Sequence, residues 1–264
     1  MGKDSKIDWT DASWNPCTGC TKVSAGCLNC YAEREALKLK NRCMAKYSRG
    51  FEFCFHPKVL NDPVHWKKAM LIFVNSMSDL FHEKMTDGDL VDVFTVMLKL
   101  APWHIYQILT KRPARMLQFV DVVIPFFKRY MENLWMGVSC EDYENTWRVN
   151  ALRRYSGHRF VSFEPLLGSI GDLSLEGIEW AIVGGESGRD FRPMELDWVR
   201  EIRDEALRVG ASFFYKQTAG VRPIHGPLLD GQTWQEYPKA MLEWLNHDRA
   251  SKQEDKDFHY EKVY

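Results

Sequence analysis

The stretch Leu71-Ile72-Phe73-Val74-Asn75-Ser76-Met77-Ser78-Asp79-Leu80-Phe81-His82 decides how the chain folds. Four consecutive apolar residues, Leu71 to Val74, are what a strand buried on both faces requires. Polar residues then end the run. Helical spacing follows over 86–100, behind Thr86, whose hydroxyl suits a helix N-cap. The unit is strand, polar strand end, helix, and it recurs. His104-Ile105-Tyr106-Gln107-Ile108-Leu109 ends in Thr110-Lys111-Arg112-Pro113, before a helical pattern over 114–131. Leu134-Trp135-Met136-Gly137-Val138 ends in Ser139-Cys140-Glu141-Asp142, before a helical 143–155. Arg159-Phe160-Val161-Ser162-Phe163 ends in Glu164-Pro165, and Trp180-Ala181-Ile182-Val183 ends in Gly184-Gly185-Glu186-Ser187-Gly188. An amphipathic helix over 196–209, closed by Gly210, leads to Ser212-Phe213-Phe214-Tyr215-Lys216-Gln217.

Upstream, residues 7–14 alternate apolar and polar as a short strand does, Asn15-Pro16 ends it, and 31–46 reads as a helix. Some seven strands, mostly followed by helices, predict an α/β fold with a parallel sheet. Alternation alone does not separate an open doubly wound sheet from a barrel. The polar strand ends favour a partial or full TIM-like (β/α) barrel, because there all C-terminal strand ends converge on one mouth. The chain reads as one domain, with residues 1–220 forming the barrel. Residues 221–264 add a capping segment, with a short helix near 240–245 and a charged tail.

Bulk properties narrow the setting. The chain has 264 residues, 45% hydrophobic content and a net charge of −1, so a global basic field for nucleic acid is absent. No apolar run reaches the length of a transmembrane helix, so no membrane partner is expected. The first residues lack the apolar stretch of a secretory signal, and seven cysteines without one predict a reducing, cytoplasmic setting in which clustered thiolates bind metal.

Four of those cysteines lie within fourteen residues, Cys17, Cys20, Cys27 and Cys30, in the loop after the first strand. Cys20 and Cys27 each follow a glycine, which allows a sharp turn and leaves room beside it for a bulky ligand. As a C-x₂-C-x₆-C-x₂-C set they could form a Cys₄ zinc site. Alternatively Cys20, Cys27 and Cys30 alone could hold three irons of a [4Fe–4S] cluster and leave the fourth open. A third reading makes them small apolar residues or a regulatory disulfide. The open-iron reading best explains a loop on a barrel mouth.

Gly19-Cys20 with Gly26-Cys27-Leu28-Asn29-Cys30-Tyr31-Ala32 resembles the motif of a phage-associated three-cysteine family of radical-S-adenosylmethionine-like proteins. Further matching stretches are 76–82, 109–113, 164–167, 183–188 and 229–234, so the resemblance covers most of the chain. It implies a radical-type partial barrel, a [4Fe–4S] cluster on Cys20, Cys27 and Cys30, S-adenosylmethionine on the open iron, and a flavodoxin- or ferredoxin-like electron donor. The chain departs from the commonest C-x₃-C-x₂-C pattern. The first gap is six residues, and the aromatic Tyr31 follows the last cysteine.

The strand ends supply the other candidates. Ser76, Ser78 and Asp79, joined by Lys111, Ser139 and Glu164, are expected to hold the cofactor's amino, carboxylate and ribose groups. Glu186 is a candidate for ribose or substrate. Lys216 belongs with Lys111, Arg112 and Arg192 to a cationic rim for a phosphate-bearing substrate. Cys140 ends the fourth strand and is expected to face the same mouth, where its thiol is a candidate hydrogen-atom donor. Trp14, Tyr31 and His82 are candidates to stack on a base or shield the cluster. A nucleic-acid base or nucleotide is the expected substrate. Two other functions fit the same residues: a zinc-containing nucleic-acid-binding or regulatory protein, and a hydrolase with a divalent ion on Asp79, His82, Glu164 and Glu186.

Overall fold

Seven strands pair side by side in chain order, all parallel: β1 (Ala12–Trp14), β2 (Leu71–Val74), β3 (Ile105–Thr110), β4 (Leu134–Ser139), β5 (His158–Phe163), β6 (Trp180–Gly184) and β7 (Ser212–Gln217). The computed structural model describes residues 5–254, and the side chains of these except 123–130 and 247–254. The sheet curls into a half-barrel with β1 and β7 at its edges, the partial form of the expected barrel.

Alternation along the strands builds two cores. Outward residues such as Ile72, Val74, Tyr106, Ile108, Met136, Val138, Val161 and Val183 pack under the crossover helices. Those helices are α2 (Asp87–Thr95), α3 (Pro113–Phe127), α4 (Trp147–Leu152) and α5 (Leu196–Val209), with α1 (Tyr31–Asn41) preceding them. Thr86 caps α2 in a full capping box with Asp89, and Gly210 ends α5 at φ 76°, as the sequence predicts. Inward residues form the second core, in which Trp9, Phe73, Trp135, Phe160, Trp180 and Phe214 fill the concave face. Met241 and Leu245 of α6 (Lys239–Glu254) join this concave core. The remaining tail, 255–264, lies outside the described residues.

Two connections are irregular. The β5–β6 crossover, 164–179, contains no helix. Pro165, Gly168, Gly171 and Gly177 interrupt any helical run there, and Leu166, Ile170, Leu175 and Ile178 anchor the turns in the outer core. The irregular 47–63 segment contributes a two-residue strand, Cys54–Phe55, which pairs antiparallel with Cys17–Thr18 of the cysteine loop. Among the described residues no helix is long and apolar enough to cross a membrane.

Candidate functional site

The cysteine loop lies across the C-terminal ends of the strands. Gly19 bridges to Ser78, whose hydroxyl donates to the Gly19 carbonyl at 2.5 Å. Asn15 donates to Ser76 Oγ at 3.2 Å and accepts from the Met77 amide at 2.9 Å. Further along, Ser24 donates to Glu141 Oε1 at 2.7 Å and Asn29 donates to Glu186 Oε2 at 3.0 Å. The space beside the two loop glycines is filled by protein, contrary to the expectation that it takes a ligand. A Cβ at Gly26 would collide with the Glu141 carboxylate, and one at Gly19, where φ is 79°, with the Glu52 carbonyl. The glycines let the loop press onto the barrel.

Between loop and barrel lies a cavity of about 130 Å³. Cys20, Cys27, Cys30 and Tyr31 line it from the loop and the start of α1. Ser76, Ser78, Asp79, Lys111, Arg112 and Ser139 line it from the ends of β2, β3 and β4. Cys17 points elsewhere. It is fully buried, Asn75 Nδ2 donates to its sulfur at 3.0 Å, and its thiol donates to Ser78 Oγ at 3.4 Å. Burial pushes the Cys17 thiol up to about 12, so it stays protonated. Burial and then Asp79 push Cys20 up to about 11, against the pull of Arg112, whose Nη1 donates to the Cys20 sulfur at 3.4 Å. Cys20 is therefore a neutral thiol unless a metal takes its proton.

Asp79 is a structural pillar. Its carboxylate takes four hydrogen bonds: from Thr110 Oγ1 at 2.7 Å, from the Phe81 and Lys111 amides at 3.0 and 3.1 Å, and from Arg112 Nη1 at 3.1 Å. Arg112 also donates to the Thr21 hydroxyl at 2.7 Å, and thereby ties β3 to the cysteine loop.

A family model described as a protein of unknown function (DUF5131) matches residues 4–238. The chain belongs to the DUF5131 family. No curated protein and no solved structure compared with the chain matches it.

In this DUF5131 chain the strand-end candidates divide into two groups. Ser76, Ser78, Asp79, Lys111 and Ser139 share the cysteine cavity, and Glu164, Glu186, Lys216 and Cys140 do not line it. Glu164 faces Lys216, with Nζ donating to Oε1 at 2.5 Å. Glu186 is held by Asn29 and by Arg192, whose backbone amide and Nε donate at 2.8 and 3.0 Å. Burial pushes the Glu186 carboxyl up, but the hydrogen bonds from Arg192 and Asn29 outweigh it and hold it below its ordinary value.

The structure does not bring Cys140 to the mouth. Its side chain is fully buried in the outer core with Val138, and its thiol donates to the Asp142 carbonyl at 3.5 Å. Strand alternation explains the placement, because Ser139 and Glu141 take the inward positions and Cys140 the outward one. Trp14 is likewise buried in the outer core and donates to the Val59 carbonyl at 2.8 Å, and His82 stacks on Phe53 at 4.4 Å between ring centroids. Of the three aromatic candidates only Tyr31 lines the cavity. Among the described residues no group of three His, Cys, Asp or Glu side chains is gathered to hold a metal ion.

The largest omission of the sequence reading is the Glu141–Arg148 pair. Glu141 is fully buried and accepts from Arg148 Nη1 at 2.8 Å, from Ser24, and faces Lys111 Nζ at 3.7 Å. Glu141 was legible as an inward strand-end residue. Arg148 carried no signal, because it lies in the middle of a helical pattern beside the exposed Trp147.

Proposed function

We propose that this chain is an iron–sulfur enzyme of the radical-S-adenosylmethionine type on a half-barrel scaffold. One observation carries the reading: Cys20, Cys27 and Cys30 share a cavity at the mouth of a parallel half-barrel, while Cys17 is buried apart and held by Asn75 and Ser78. A tetrahedral zinc site draws all four sulfurs to about 2.3 Å from one point. In a cubane cluster each thiolate takes its own iron, so three ligands spaced around a cavity, with the fourth cysteine excluded, suit a cluster with one open position. The hydrolase alternative fits less well, because Asp79, Glu164 and Glu186 are each paired with a cationic side chain and His82 is stacked.

Cys20, Cys27 and Cys30 line one cavity without converging on a single ion, as ligands to three separate irons need not. Cys20, Cys27 and Cys30 would hold the three irons. Arg112, already bonded to the Cys20 sulfur, would offset negative charge there and tune the potential. Phe51, Phe73 and Leu109 form the apolar part of the cavity wall. Lys111 and Ser139 supply a cation and a hydroxyl for the carboxylate and hydroxyl groups of S-adenosylmethionine. When bound, the cluster would supply the electron that cleaves S-adenosylmethionine to a 5′-deoxyadenosyl radical. The reading carries a reducing cytoplasmic setting, a flavodoxin- or ferredoxin-like donor, and a nucleotide or nucleic-acid base as substrate.

Anaerobic purification tests it. A brown protein with iron and sulfide, bleached by dithionite and forming 5′-deoxyadenosine, is expected. Cys17→Ala should keep the iron, and alanine at Cys20, Cys27 or Cys30 should lose it. A colourless protein whose zinc depends on Cys17 would sink the proposal.

A further inference from the structure

The β5–β7 side of the mouth holds a second polar group that the cysteine cavity does not include. Phe160 lies in the concave core and Val161 and Phe163 in the outer core, so Ser162 and Glu164 point inward. Phe214 is inward and Tyr215 outward, so Lys216 points inward too. Glu164 lies over Gly184 of β6, where a Cβ would stand 3.1 Å from its carboxyl carbon, and so reaches Lys216 on β7.

This group is only half satisfied. The Lys216 and Glu164 side chains are 12% and 20% exposed, and their mutual bond uses one of three ammonium protons and one of two carboxylate oxygens. Ser162, 1% exposed, has a buried hydroxyl with no hydrogen-bond partner among the described residues. A buried hydroxyl left this way costs stability unless a ligand completes it.

The complement is specific. An ammonium proton and a carboxylate oxygen whose heavy atoms lie 2.5 Å apart present a donor beside an acceptor. The matching edge is a carbonyl oxygen beside a ring N–H. Lysine pairs with base carbonyls and carboxylates accept from base N–H groups in the same way. Ser162 can serve a second carbonyl.

We infer that Glu164, Lys216 and Ser162 recognise a nucleobase through a carbonyl beside a ring N–H, the edge shared by thymine, uracil and guanine. The inference rests on reading the mouth as the substrate site of the proposed enzyme.

Calorimetric titration of the anaerobically purified protein with thymidine and guanosine, against 3-methylthymidine and 1-methylguanosine, tests it. Methylation of the ring nitrogen should weaken binding about tenfold, as expected for one buried hydrogen bond. The double variant E164Q/K216M should lose that preference and keep its iron. A short oligothymidylate in parallel distinguishes a free nucleoside from a base in a strand, and selective binding of either supports the inference. Equal binding of methylated and unmethylated bases, or no nucleoside binding at millimolar concentration, would overturn it. Displacement of thymidine by free methionine would also overturn it, since the pair would then hold the cofactor's amino-acid group. Iron and sulfide measured on the same samples separate the two proposals. Selective binding without iron defeats only the radical reading, and iron without selectivity defeats only the base-recognition reading.

Discussion

Among the described residues, Asp79 on the β2–β4 side of the mouth takes four hydrogen bonds from the protein, and Glu164 on the β5–β7 side takes a single one, from Lys216. Both carboxylates stand at strand ends that look alike in sequence. Asp79 is consumed in fixing the cysteine loop, whereas Glu164 keeps hydrogen-bonding capacity in a poorly solvated place. A polar strand end is therefore a weak pointer to ligand binding. What discriminates is whether its capacity is already spent on the protein.

Perturbing the two sides in turn sharpens that contrast. The largest effect is expected from Arg148→Met, which takes the nearest cation from the fully buried Glu141 and leaves it Lys111 at 3.7 Å and the Ser24 hydroxyl. A loss of about 3–5 kcal/mol is expected in urea denaturation, as for a buried ion pair that loses one partner. Equal stability of R148M and wild type would show that Glu141 is not an anchor of the loop. Gly26→Ala comes next. Its Cβ falls on the Glu141 side chain, so overpacking should cost about 1–3 kcal/mol and, on the proposed cluster reading, lower the iron content by lifting the loop. Wild-type iron in G26A would mean that the loop can shift without losing its ligands.

Glu186→Gln tests the rim through pH. The folded Glu186 carboxyl titrates below its ordinary value. Its stabilisation is therefore fully present above the unfolded value of about 4.3 and fades as pH falls through the lower folded value. Wild type and E186Q should differ at neutral pH and converge in acid. A gap that widens toward low pH would contradict the sign. The smallest effect is expected far from the mouth. Thr86→Ala removes the cap of α2 and should cost about 1 kcal/mol, with iron content unchanged. If T86A lost iron, the distinction between scaffold and mouth would fail.

The strands were legible because a both-sides-buried strand needs an uninterrupted apolar run, as in Leu71–Val74 and Trp180–Gly184. Amphipathic α5 and its glycine stop were equally plain. The helix-free β5–β6 crossover fits the proline and three glycines within 164–179. At the site, the three cysteines and five of the strand-end residues come together on one cavity. Cys140 was misplaced because its strand was read for its end and not for its alternation. Arg148 and the Cys54–Phe55 pairing were invisible, since both depend on tertiary partners that no local pattern encodes.

The bonds that frame the cysteine loop join very distant parts of the chain. Ser24 and Glu141 are 117 positions apart, Asn29 and Glu186 157, and Ala25 and Arg192 167. On a ribosome the four thiols emerge more than a hundred residues ahead of Glu141, Glu186 and Arg192, which frame them. Contacts of such long sequence separation also form late in folding. A maturation system would thus meet either an unframed, exposed peptide or a finished fold, with little in between. On the proposed cluster reading, loading would follow the closing of these contacts, and a chain interrupted before Glu141 should leave the four cysteines open to oxidation or proteolysis.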